Sequence, residues 1–135
     1  MNSVAVTTLD IIFNAGDSKL PDVVKSDTQG SEAKILRGAS SLFNKGWRPI
    51  MILEFWPFGL TQSGDDPLQL WEKIVGLGYA TYELSENSPT LKAISKEWLI
   101  ERLNTDISPS AQGFINLCCI PGNSERLNSV SDLIL

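Results

Sequence analysis

An apolar run, Pro49-Ile50-Met51-Ile52-Leu53-Glu54-Phe55, sets the narrowest limit on the fold of this chain. A run with no polar residue before Glu54 is typical of a strand that is covered on both faces, as in the sheets of α/β proteins. Helical periodicity occurs on both sides of it, over 31–44 and after the Asp66-Pro67 helix start. Strands that alternate with helices are usually joined by right-handed crossovers, so the pattern predicts an α/β fold with parallel strands.

The rest of the chain continues the alternation. Further strands are predicted at 4–6, 22–26, 79–84 and 113–120, and further helices at 9–13 and 95–103. The segment 86–90 is predicted to be a loop. A chain of 135 residues suits one domain. We expect a single domain over 1–135, with a core over 4–121 and a tail over 122–135 that adds one more helix.

Composition excludes several classes of function. The formal net charge of −5 argues against a nucleic-acid partner, because phosphate binding needs a surplus of Lys and Arg. The sequence has no histidine, which leaves carboxylates, Lys, Tyr, Cys or water to move protons. The adjacent Cys118 and Cys119 would point to opposite faces of a strand, so we expect buried free thiols in a reducing compartment. No apolar stretch approaches the ~20 residues of a membrane span, and the N-terminus lacks signal-peptide features, so we expect a cytoplasmic protein without a membrane partner.

Acidic residues follow the strand predicted at 22–26. In open parallel sheets, ligands bind outside the carboxyl ends of the strands. Asp27, Gln29 and Glu32 occupy that position here, with Gly30 available for a tight turn. One interpretation is that Asp27 and Glu32 cap the following helix and complement its dipole. The other is that these side chains present oxygens to a ligand in the crevice.

Glu54 ends the most apolar strand of the chain. Because an isolated buried carboxylate is costly, Glu54 should either have a charged partner or reach the crevice. Lys25, near the tip of the strand expected beside it, is the best candidate partner. Glu54 is therefore either half of a structural ion pair with Lys25 or part of a functional site. Trp56 follows the same strand end and could line a substrate pocket.

The residues around the first of these strand ends resemble a known family. The hallmark of the FkbM-type methyltransferases is similar to Val24-Lys25-Ser26-Asp27-Thr28-Gln29-Gly30-Ser31-Glu32, followed by Leu36-Arg37-Gly38-Ala39. Three further segments resemble family elements in the same order: Thr8-Leu9-Asp10, the Pro49–Glu54 strand, and Leu77-Gly78-Tyr79. The similarity covers about residues 4–120. Ser26 departs from the pattern, since the family prefers an apolar residue there, and a buried hydroxyl is unfavourable unless it finds a hydrogen bond.

The resemblance implies a fold, an activity and a set of site residues. The fold would be a partial Rossmann-like methyltransferase sheet, mostly parallel with an antiparallel last strand, and with helices on both faces. The activity would be methyl transfer from S-adenosylmethionine to a hydroxyl of a sugar or another natural product. With no histidine available, Asp27 or Glu54 would be the base. The residues expected next to the substrate or cofactor are Lys25, Gln29, Gly30, Glu32 and Trp56.

A glycine-rich strand-to-helix turn, which holds the methionine moiety in the family, does not occur in this sequence. We therefore expect the sequence to correspond to the C-terminal half of the family's domain. We expect the chain alone to bind S-adenosylmethionine weakly or not at all and to be inactive. No metal site is predicted outright, although Asp27, Glu32 and Glu54 together could hold Mg²⁺, which prefers oxygen ligands.

The alternative interpretation is a non-catalytic α/β remnant that acts as an interaction or assembly domain. In either case the 22–26 strand would present a bare edge with Val23 and Val24, and bare apolar edges recruit other strands. We therefore expect edge-to-edge dimers or pairing with a separate N-terminal half. The expected ligand is a small-molecule or glycan acceptor.

Overall fold

A five-stranded sheet forms the centre of the protein. The structure is a computed structural model that describes residues 3–14, 19–122 and 125–135. In chain order the strands are β1 (Val23–Ser26), β2 (Ile50–Phe55), β3 (Tyr79–Leu84), β4 (Leu91–Ala93) and β5 (Ile115–Pro121). Their order across the sheet is β1-β2-β5-β3-β4.

Short helices connect the strands. They are α1 (Leu9–Phe13), α2 (Glu32–Arg37), α3 (Ser40–Asn44), α4 (Pro57–Gln62), α5 (Pro67–Gly76), α6 (Lys96–Leu103) and α7 (Glu125–Ser129), with a 3₁₀ helix at Ser131–Leu133. The helix start read from the sequence at Asp66-Pro67 is confirmed. The Asp66 side chain caps α5 by accepting from the N–H of Gln69, and Ser95 caps α6 by accepting from that of Trp98.

The α/β class and its partial Rossmann-like architecture are confirmed, but the strand pairing differs from the expectation of a mostly parallel sheet. Only β1 and β2 form a parallel ladder within the described part of the chain. The last strand, β5, runs antiparallel as predicted, but it lies between β2 and β3 and pairs with both. β1, β2 and β3 therefore run in the same direction without all being neighbours, and their carboxyl ends meet at one edge of the sheet.

The sheet is covered on both faces, as expected. On one face, helices α2 to α6 pack over a large apolar cluster that includes Met51, Leu53, Phe55, Leu117 and Cys119. The opposite face carries Ile50, Ile52, Glu54 and Cys118, and the segment 127–134 packs against its apolar part. The two cysteines are buried free thiols that point to opposite faces, in agreement with the sequence analysis.

Several local predictions are wrong. Residues 4–6 form no strand, and Val4 and Val6 are largely exposed, because no other strand of the described residues lies beside them. The helix predicted over 31–44 is split into α2 and α3 at Gly38-Ala39. Helix α4 and strand β4 were not predicted, because both segments are too short to show periodicity.

The break between α2 and α3 has a structural reason. The Asp10 carboxylate accepts hydrogen bonds from the backbone N–H groups of Ser41 and Leu42, both at 3.0 Å, and so caps α3 from helix α1. The Asp10 N–H in turn donates to the Gly38 carbonyl at 2.8 Å. A Cβ on Gly38 would lie 3.2 Å from the Thr8 Cβ, so a glycine permits this close approach. The Thr8-Leu9-Asp10 segment and the Leu36-Arg37-Gly38-Ala39 segment, both similar to family elements, thus join α1 to the rest of the domain.

None of the helices described is long and apolar enough to cross a membrane.

Candidate functional site

The carboxyl groups of Asp27 and Glu54 meet at the end of the parallel strand pair. The ladder between β1 and β2 places Ser26 beside Leu53, so the next residues along, Asp27 and Glu54, are neighbours on the opposite face. Asp27 is exposed and Glu54 is partly buried. The two side chains are within hydrogen-bonding reach of each other. The sequence prediction that these two strand ends lie side by side is therefore correct.

The environment of Glu54 favours its protonated form. Its pKa is raised from 4.5 to about 7, first by burial, then by the hydrogen bond and negative charge of Asp27, and least by the charge of Glu32. A carboxyl group with a pKa near neutrality is half protonated at physiological pH, so it can accept a proton and release it again.

Lys25 is not the partner of Glu54. Lys25 lies beside Ile52 in the parallel ladder, and Ile52 is two residues before Glu54 on the same strand. Its side chain is exposed and forms no ion pair with Glu54 among the described residues. The structural ion pair proposed from the sequence is therefore wrong, and Glu54 faces a second carboxylate instead.

Glu32 has a structural position under the loop that carries Asp27. Its side chain is fully buried, with 0% exposure. One carboxylate oxygen accepts from the N–H and the hydroxyl of Thr28, both at 2.8 Å, and the other accepts from the N–H of Gly30 at 3.0 Å. Glu32 thus closes the loop between β1 and α2. Glu32 lies in the first turn of α2, as the capping interpretation expected, but its oxygens bond to the loop before the helix and neither cap α2 nor face the crevice.

The turn at Gln29 and Gly30 packs directly on helix α4. Both residues have positive φ angles, +55° and +113°. A Cβ on Gly30 would collide with the backbone carbonyl of Gly59, and a Cβ on Gly59 would collide with the Trp56 ring and lie 2.8 Å from the Gln29 carbonyl oxygen. Two glycines facing each other therefore let the loops after β1 and β2 meet. Gly59 was not predicted as a site residue.

Trp56 lies at the same edge of the sheet, immediately after β2. Its indole N–H donates to the carbonyl of Gln112 at 3.1 Å, and its ring centroid is 5.3 Å from that of Phe58. Trp56 is partly buried and so retains some exposed aromatic surface. Its contact with Gln112 connects the loop before β5 to the end of β2.

Asn116 is the residue of this edge that sequence reasoning missed. It lies in β5 directly opposite Glu54 on one side and Leu84 on the other. Side chains opposite each other in antiparallel strands have Cβ atoms about 4.5–5.5 Å apart. Asn116 therefore extends the row of Asp27 and Glu54 across the sheet. The available signal was a single amide within the apolar run 114–120.

The described residues contain no group of three or more acidic, Cys or His side chains that could hold a metal ion. Glu32 is directed to the donors of Thr28 and Gly30, which leaves Asp27 and Glu54 alone at the edge. The expectation that Asp27, Glu32 and Glu54 together could bind Mg²⁺ is therefore not supported by this geometry.

The comparisons with known proteins agree with the motifs. The sequence model of the methyltransferase FkbM domain matches residues 2–81, which is more than half of the chain. No curated protein and no solved structure matches. The matched region contains β1, β2 and the loops that carry Asp27, Glu32 and Glu54. The chain therefore belongs to the FkbM methyltransferase family.

Proposed function

We propose that this chain provides the proton-accepting part of an O-methyltransferase that acts on a hydroxyl of a sugar or another natural product. The observation that supports the proposal is the Asp27–Glu54 pair, in which the pKa of Glu54 is about 7. A base works best when its pKa is near the working pH. The chain has no histidine, so a carboxyl group with this pKa is the group best suited to accept a proton at this edge of the sheet.

The proposed role is to receive the proton of the acceptor hydroxyl. The acceptor hydroxyl would lose its proton to the Glu54 carboxylate, which lies beside Asp27, and its oxygen would take the methyl group that S-adenosylmethionine would supply with loss of S-adenosylhomocysteine. The buried Glu32 holds the loop so that Asp27 stays beside Glu54. Trp56, which follows β2 directly, is partly exposed and would offer aromatic surface to the acceptor.

The family implies S-adenosylmethionine as the cofactor, and that molecule supplies the methyl group when it is bound. The described residues do not fit its methionine moiety. The turn after β1 has its N–H groups of Thr28 and Gly30 occupied by Glu32, and the Gly59 backbone fills the space in front of Gly30. We therefore propose that the chain alone binds S-adenosylmethionine weakly or not at all. Isothermal titration calorimetry that gives a micromolar dissociation constant for the purified chain would overturn this.

The free edge of β1 supports a further part of the proposal, a partner strand. β1 is the outermost strand of the sheet, and Val23 on it is 53% exposed. An apolar strand edge with unpaired backbone groups favours pairing with another strand. We propose that a second copy or a separate N-terminal half of the domain adds to β1. Sedimentation velocity should show a concentration-dependent dimer, or a complex with the separate half. A monomer in both experiments would contradict this part.

The coding sequence ahead of Met1 offers the most direct test of the catalytic proposal. An in-frame segment that encodes a glycine-rich strand and turn would allow the extended chain to be assayed for transfer of a labelled methyl group to hydroxylated acceptors. Glu54→Gln should then lower the rate by about 10²-fold or more, since this is the usual contribution of a general base. Glu101→Gln, an exposed position on α6, is the matched control and should have no effect. Equal rates for the wild type and Glu54→Gln would overturn the proposal.

A further inference from the structure

A polar recess opens next to the Asp27–Glu54 pair, at the carboxyl end of β3. Its volume is about 240 Å³, and its lining includes Glu83, Ser85, Asn87, Arg102, Phe114 and Asn116. Asn116 connects the two features, because it lies opposite Glu54 in one ladder and opposite Leu84 in the other. A molecule in the recess that contacts the Asn116 amide is therefore within reach of Glu54.

The recess offers both hydrogen-bond donors and acceptors. The Asn116 side chain is partly buried and forms no hydrogen bond with any other described residue, so its amide is free to donate and to accept. Asn87 adds a second free amide, and Ser85 adds a hydroxyl that already accepts from the Asn87 N–H at 3.2 Å. Side chains that both donate and accept hydrogen bonds can bind hydroxyl groups of a ligand, which also donate and accept.

The charges around the recess disfavour an anionic ligand. Among the described residues of the lining, Arg102 is the one cation, and it forms ion pairs with Glu83 at 3.0 Å and with Asp106 at 2.6 Å. Its guanidinium also lies 4.6 Å from the centroid of the Trp98 ring. Arg102 is therefore held in place by these contacts, and its positive charge is already balanced by the two carboxylates. Glu86 on the rim and the Asp27–Glu54 pair beside it add negative charge.

Phe114 adds an apolar surface at the mouth of the recess. Its side chain is 45% exposed, although it is large and aromatic. Pockets for small molecules commonly combine such an aromatic face with a few polar groups that fix the orientation of the ligand. A saturated ring could place the C–H groups of one face on Phe114 and direct the hydroxyl groups of its edge to the polar side chains of the recess.

We propose that this recess is the acceptor subsite, that it takes a neutral, polyhydroxylated ring such as a glycoside, and that Asn116 presents one hydroxyl of that ring to Glu54. The proposal rests on the proposed function for the identity of the reaction. It adds the location of the acceptor, the preference for an uncharged ring and the residue that orients it.

Solution NMR on the full chain tests the proposal with two matched probes. Methyl α-D-glucopyranoside is neutral, and its uronate, methyl α-D-glucuronopyranoside, carries one carboxylate. The neutral probe should shift the side-chain NH₂ signals of Asn116 and Asn87, and the uronate should bind more weakly. Asn116→Ala should weaken binding about tenfold, in line with the loss of one or two hydrogen bonds, whereas Asn128→Ala on the exposed face of α7 should not.

Three results would overturn the proposal: no binding of the neutral probe up to its solubility limit, shifts confined to residues outside the recess, or equal binding by the wild type and Asn116→Ala. Asn87→Ala, at an exposed loop position, provides a second variant if Asn116→Ala does not fold. Failure of the catalytic proposal gives a different result, because Glu54→Gln would then leave methyl transfer unchanged while the neutral probe still binds at Asn116.

Discussion

The Glu54 carboxyl lies beside the Asp27 carboxyl just past the last ladder pair of β1 and β2, and neither forms an ion pair in the described part of the chain. A partly buried carboxyl group beside a second carboxyl group holds its proton more tightly than a carboxyl group in water. The register of β1 on β2 brings the two carboxyl groups together, and the burial of Glu54 raises its pKa further. Glu54 can therefore take up and release a proton near neutral pH, at the edge of the sheet where the acceptor is proposed to bind.

The first prediction concerns pH. Because the pKa of Glu54 rises from 4.5 to about 7 on folding, the folded chain holds this proton more tightly than the unfolded chain. The contribution of Glu54 to the free energy of unfolding should be complete below about pH 4.5 and lost as the pH rises through 7. ¹³C-detected titration of the Glu54 carboxyl should show a midpoint near 7. Asp27→Asn should lower that midpoint without restoring 4.5, since burial is the larger cause.

Asp132→Asn, on the exposed 3₁₀ helix of the tail, is the control and should leave the midpoint unchanged. A wild-type midpoint close to 4.5 would show that the two carboxyl groups do not interact as described.

The second prediction concerns Glu32. Glu32→Gln replaces one carboxylate oxygen by an NH₂ group, which must then face a donor at Thr28 or Gly30. Leaving a buried donor unpaired costs about 1–3 kcal/mol, so the free energy of unfolding should fall by that amount. Chemical denaturation measures it, with Glu101→Gln as the exposed control. An unchanged denaturation midpoint would mean that Glu32 does not hold the loop.

The third prediction concerns the glycine contact between the two loops. Gly30→Ala and Gly46→Ala both place a Cβ on a residue with positive φ, but only the first would collide with another backbone, at Gly59. Gly46→Ala should cost about 1 kcal/mol from the backbone conformation alone. Gly30→Ala should cost more than this and should also shift the NMR signals of α4. Equal costs for the two variants would argue against the close packing of these loops.

The fourth prediction concerns Ser26. Its hydroxyl is buried and has no hydrogen-bond partner among the described residues, and the side chain is 6% exposed. Ser26→Ala should raise the free energy of unfolding by about 0.5–1 kcal/mol, because it removes an unpaired polar group from the core. Thr81 is equally buried, but its hydroxyl accepts from the Trp71 indole at 3.0 Å. Thr81→Val should therefore destabilise the chain, and a loss of stability in Ser26→Ala would contradict the argument.

The pattern of apolar and polar residues predicted the sheet strands with the strongest signals, β1, β2, β3 and β5, and the longer helices α5 and α6. These segments were readable because each is apolar on the side that it buries, and because Asp66 and Pro67 mark the start of α5. Helix α4 and strand β4 were missed because they are short and depend on neighbours for their stability.

The sequence by itself determined that carboxylates end two apolar strands and that a known family motif surrounds them. Only the tertiary structure decided what each carboxylate does. The register of β1 on β2 places Glu54 beside Asp27 and leaves Lys25 two residues away along the ladder, and the insertion of β5 between β2 and β3 brings Asn116 beside Glu54. These contacts depend on pairing between strands that are far apart in the sequence. The local pattern of apolar residues predicts a strand but does not specify which other strand it pairs with.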